Sequence, residues 1–121
     1  MARGDPIEGT VIVLVTAQAA VGERVPDLVD EVQAHLGPRL DEYTRQYEVV
    51  HETADAVVCL AEDGHLSSVC ADLGMGDREA DAVRRAHEEQ ARRIARERDD
   101  ETGIESALEI RDAVVIGRGE D

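Results

Sequence analysis

The 121-residue chain has no Lys, no Asn, no Trp and no Phe, and its two aromatic residues are both Tyr. Any core must therefore be built mainly from Val, Ala, Leu and Ile. Cysteine is nearly absent. Cys59 and Cys70 lie in apolar contexts, outside any CxxC pair, which excludes a disulfide scaffold and favours buried thiols in a reducing cytosol. Long apolar runs are also missing. None approaches the ~18 residues of a transmembrane helix. The longest, Val11–Val15, lacks the charged lead and small-residue cleavage pattern of a signal peptide. No nucleophile elbow, Walker motif or Gly-x-Gly-x-x-Gly fingerprint occurs, so nothing in the chain carries the signature of an enzyme.

What is present in excess is negative charge. Asp and Glu number 28 against 13 basic residues, all of them Arg, for a net charge of -15. Apolar residues make up 42%, too many for a disordered acidic chain. The length suits one domain over 1–121, with 1–9 and 117–121 as mobile tails. Net charge of this size repels itself and opposes the compact state. At about 1 M salt the Debye length shrinks to about 3 Å and that repulsion is screened. Arg in place of Lys fits the same regime, because guanidinium pairs bidentately with carboxylates and is weakly hydrated. With abundant Asp and Glu, no Lys and a small-aliphatic core, the chain resembles in composition a cytoplasmic protein of a halophilic archaeon. The resemblance covers the whole chain and carries no motif. It implies a cytoplasmic location and stability that depends on salt. The acids are dispersed and not gathered in a tail, which argues against an acidic partner-binding segment.

Hydrophobic patterning predicts α+β architecture. Residues 10–16 and 55–61 are apolar on both alternating faces and predict central strands. Residues 48–53 and 113–116 predict two more. A helix is expected over 24–36, with Val25, Leu28, Val29, Val32 and Leu36 on one stripe. Another short helix carries Leu40, Tyr43 and Tyr47. Further helices are expected over 65–73 and 77–98, and a capping-box spacing at Thr102–Glu105 starts a last one. The order β-α-β-β-α-β is that of a ferredoxin-like sandwich with extra short helices. The alternative is a mainly α fold with a small sheet. In the sandwich, helices cover one sheet face only, so Val11, Val13, Val15, Val57 and Cys59 form an apolar interface for a homodimer.

Candidate chemistry is sparse. Arg78, Arg85, Arg92 and Arg96 share one stripe of the long helix and could track an anion or a phosphate backbone. Acid-before-base pairs such as Asp81/Arg85, Glu88/Arg92 and Glu89/Arg93 favour a salt-bridged face instead, and no aromatic lies nearby for base stacking, so nucleic-acid binding is not favoured. His87 lies on the apolar face of that helix. Together with His65 and Asp63 it would form the site of a small enzyme or ligand-binding domain between sheet and helices. Asp63, His65, Cys70 and His87 are zinc-ligand types, but their spacing is not that of a metal site, and no metal or cofactor is expected. His51 and Glu52 fall on opposite faces of a strand, which argues against a local pair. The leading expectation is a cytoplasmic protein that works by association, as a homodimer and with room for another protein partner, away from membranes.

Overall fold

The run expected to form the first strand is a helix. The computed structural model describes residues 6–19 and 21–118. The elements are α1 (Gly9–Gln18), α2 (Val25–Leu36), α3 (Leu40–Gln46), β1 (Glu48–Glu52), β2 (Ala56–Glu62), α4 (His65–Asp72), α5 (Asp77–Glu97), α6 (Glu101–Leu108) and β3 (Arg111–Gly117), with single 3-10 turns before α2 and α3. The α+β class holds, but the β-α-β-β-α-β order does not. The sheet, among the described residues, has three antiparallel strands in the order β1-β2-β3, closer to the mainly helical alternative. Of the expected tails, residues 1–5 and 119–121 lie outside the described residues. Ile7 is buried, Gly9 begins α1, and Gly117 ends β3.

Periodicity misleads at α1 because Val11–Val15 is apolar at every position, so helical and strand templates fit equally. Tertiary contacts decide. Gln90 of α5 is buried and clamps the helix start: its Oε1 accepts from Glu8 N–H and its Nε2 donates to the Glu8 carboxylate, both at 2.9 Å. Arg93 donates to Thr10 Oγ1 at 2.6 Å. Val11 and Val15, one turn apart, then reach the core with Ile7.

There is also no place for a fourth strand beside β3. Helices α2 and α5 occupy that edge and satisfy its backbone with side chains. Gln33 Nε2 donates to Val115 C=O at 2.6 Å, and Gln33 Oε1 accepts from Gly117 N–H at 3.0 Å. The primary amide thus stands in for a neighbouring strand's peptide. His87 Nδ1 accepts from Val115 N–H at 2.9 Å. Edge strands left open invite pairing with other chains, and here the edge is closed from within. Truncating Gln33→Ala leaves two strand groups without these partners and is expected to cost about 2 kcal/mol, measurable by denaturant melts in concentrated KCl.

Helices α2 and α5 wrap the β3 edge, so both sheet faces are covered. Ala56, Val58, Leu60, Ala113 and Val115 pack with residues of α1, α5 and α6, including Val11, Val15, Ile94 and Ile104. Val57, Cys59, Ala61, Val114 and Ile116 pack with residues of α2, α3 and α4, including Leu36, Tyr43 and Leu66. The expectation that β2 is apolar on both faces holds for this reason. The expected sheet-to-sheet interface does not: Val11, Val15, Val57 and Cys59 are buried within the chain, and only Val13 is exposed. The Ala-rich inner face of α5 (Ala82, Ala86, Ala91, Ala95) permits close approach.

Candidate functional site

The long helix α5 begins where Glu79 accepts from Gly76 N–H at 2.8 Å. Its Arg stripe is largely neutralised. Arg85 pairs with Asp81 at 3.0 Å, Arg92 with Glu105 at 2.6 Å, and Arg96 with Glu101 at 3.6 Å. Arg93 lies 3.9 Å from Glu89, and Glu88 turns to Arg84 at 2.7 Å in place of Arg92. Of the four stripe residues only Arg78 has no ion-pair partner among the described residues. Three of the four stripe residues are therefore engaged in ion pairs on a salt-bridged face.

His87 and His65 have different partners, and Asp63 contacts neither set through a hydrogen bond or ion pair among the described residues. His87 is fully buried at the β3 edge, and burial pushes its pKa down to about 4. A neutral ring that accepts at Nδ1 carries its proton on Nε2, and Nε2 has no partner among the described residues. His65 opens α4 after the tight turn at Gly64, whose φ of 89° suits glycine. Asp112 holds that helix start, accepting from Leu66 N–H at 2.9 Å through a buried carboxylate. His65 meets both Tyr residues. Tyr43 and Tyr47 stack at 5.0 Å, and the Tyr43 hydroxyl lies 2.6 Å from His65 Nε2. Burial, reinforced by Tyr47 and Glu42, pushes the Tyr43 pKa up to about 12, so the hydroxyl donates. His65 Nδ1 faces Glu62 at 3.6 Å. Asp63 is exposed beside this cluster, with no hydrogen bond or ion pair from its side chain among the described residues. This Tyr-His clamp ties α3 to α4 and leaves His65 little freedom for chemistry. Cys59 and Cys70 are buried, and burial pushes each thiol up to about 11, which makes both inert. Among the described residues no group of three or more His, Cys, Asp or Glu is placed to hold a metal ion.

A second histidine-carboxylate pair escaped the sequence reading. A β-bulge falls between Val49 and His51. Val49 pairs with Cys59, but His51 pairs with Val58 and Glu52 with Val57, so the extra residue turns His51 onto the face beneath the α5–α6 turn. A strand of strict alternation would aim it the other way. There Asp100 Oδ2 lies 2.8 Å from His51 Nε2. His51 and Glu52 do point to opposite faces; the partner of His51 comes from 49 positions away. The turn is shaped for it. Asp99 sits at φ 56°, and a Cβ on Gly103 would overlap Asp100 Oδ1.

The third feature is α1 itself. Its ten residues carry no charge, whereas 34% of the chain is charged. Val13 is 69% exposed and Leu14 38%, and Gly9, Val13 and Ala17 form an exposed ridge at spacings of four. A groove of about 270 Å³ runs beside it between Leu14, Gln18 and the Arg84–Arg92 face of α5.

Among the described residues no helix is long and apolar enough to cross a membrane. No curated protein and no solved structure matches the chain. Residues 5–118 match the family model described as Domain of unknown function (DUF8048), and the chain belongs to that family.

Proposed function

We propose that the protein is a salt-adapted cytoplasmic domain that acts through association, as a homodimer joined at the outward face of α1. The observation that carries this reading is the exposure of Val13 and Leu14 on a helix with no charged residue. A helix that is apolar all round is normally buried. The occupant that fits best is a second copy. Two chains of charge -15 repel over most of their surfaces and least across an uncharged face, and the Gly9–Val13–Ala17 ridge is complementary to its own two-fold mate. The groove beside Leu14 seats the flank of the opposing helix. High salt favours this mode, since it screens repulsion and strengthens apolar burial.

Light scattering after gel filtration in concentrated KCl tests it. The expected mass is twice 13.2 kDa; a monomer at every concentration overturns the reading. The salt adaptation has its own test. Below roughly 0.5–1 M KCl the chain is expected to unfold or aggregate as its self-repulsion is unmasked. A melting temperature that ignores KCl contradicts it.

A further inference from the structure

We infer that the depression beside His51 is a binding site for a small oxyanion, a carboxylate or phosphate group held between the Arg98 guanidinium and His51 Nδ1. Val49, Val50, His51, Glu52 and Arg98 line this depression of about 240 Å³ at the outer side of β1, the sheet edge that no strand covers among the described residues. Three independent backbone features converge on it: the bulge that re-aims His51, the left-handed Asp99, and the absent side chain at Gly103 that lets Asp100 approach. The first two depart locally from regular structure, and together the three place a carboxylate behind His51. Asp100 accepts from Nε2–H and so fixes the ring, with Nδ1 left to a ligand. No partner for Nδ1 occurs among the described residues.

Arg98 supplies the fixed charge. It is exposed and has no ion-pair partner among the described residues, in a chain whose other guanidiniums are mostly taken. Glu52, the acid within the depression, is paired with Arg118 at 3.3 Å, which reduces its competition for Arg98. An oxyanion at Nδ1 needs a proton there, so the bound form is the imidazolium, bridged between Asp100 and the ligand. The groups that set this linkage are Asp100 from the α5–α6 turn, Arg98 from the end of α5, and Glu52 with its partner Arg118. Affinity is therefore expected to rise with protonation of the His51 ring.

The test is a titration of the intact protein with inorganic phosphate, and separately with acetate, at fixed KCl, followed through the His51 imidazole resonances. The expected result is a saturable shift of those resonances with at least one of the two. Which anion gives the tighter curve distinguishes a phosphate-bearing from a carboxylate-bearing ligand. Arg98→Gln is expected to weaken binding at least tenfold, with the fold kept because Arg98 is exposed. Arg78→Gln, which removes another Arg with no ion-pair partner among the described residues, is expected to change nothing. No saturable shift with either anion, or equal losses in the two Arg variants, overturns the inference.

Discussion

Replacing His87→Ala is expected to destabilise the folded chain by about 3 kcal/mol at pH 7, and by far less at pH 4. At neutral pH the substitution removes a fully buried ring that packs α5 against the sheet, and leaves Val115 N–H without its acceptor. Truncation of a large core side chain costs about 2–5 kcal/mol, and an orphaned buried donor adds about 1–3 kcal/mol. Against this stands relief for Nε2–H, which has no partner among the described residues. The net lies near the middle of the packing range.

The pH dependence follows from burial. The His87 pKa is held down to about 4, while in the unfolded chain it is near 6.5. Its folded pKa is lowered, so between these values the unfolded state binds a proton that the folded state refuses. Stability linked to His87 is complete above about pH 6.5 and declines as pH falls toward 4, by about 3 kcal/mol in all. The alanine variant has no such group. Its stability should therefore converge on that of the natural chain as pH falls, while carboxylate titrations largely cancel in the difference. Denaturant melts of both proteins at several pH values read this directly. A constant difference across the range would mean that His87 is not the buried neutral acceptor described here.

The second large effect is on assembly. Val13→Glu is expected to raise the dimer dissociation constant at least a hundredfold, about 3 kcal/mol, by placing two like charges at a desolvated two-fold contact. Folding of the single chain should hardly change. Val13 touches solvent, and Glu is the better helix former by a few tenths of a kcal/mol. A variant that halves the mass while keeping its melting curve in the monomeric range separates interface from core. Loss of fold and assembly together would place Val13 in the core instead.

Much of this molecule can be read from spacing. The stripe Val25, Leu28, Val29, Val32 and Leu36 is buried along α2, and three of the four expected strands form β1, β2 and β3. The Asp81/Arg85 and Glu89/Arg93 pairs also form. The errors share a physical cause. Where every residue is apolar, as in Val11–Val15, periodicity holds no information, and a buried Gln at position 90 decides the outcome by capping the helix. The last helix starts at Glu101, one residue ahead of the expected cap, so Thr102 falls inside it. The expected dimer face followed from the mistaken strand: with that segment helical, the sheet is covered on both sides.

The sites show the same limit. His87 stands out as a histidine on an apolar helix face, and its ring accepts a hydrogen bond from the β3 edge. Tyr43 and Tyr47 were visible as one face of α3, but their meeting with His65 depends on how α3 and α4 pack. The His51–Asp100 pair needed a β-bulge and a left-handed Asp99. Bulges in a five-residue edge strand leave no compositional trace, although the Asp99-Asp100 doublet just before a helix is a turn signal.

Oxidative trapping is the most direct measurement of how this protein associates. Cys59 and Cys70 are buried, with thiols pushed up to about 11, so a Val13→Cys variant reports through its new thiol alone. Ile110→Cys, at the other strongly exposed apolar position (71%), serves as the comparison. In concentrated KCl under mild oxidant, Val13→Cys is expected to become a covalent dimer and Ile110→Cys to stay a single chain. Equal cross-linking of both variants, or none at Val13, would contradict it.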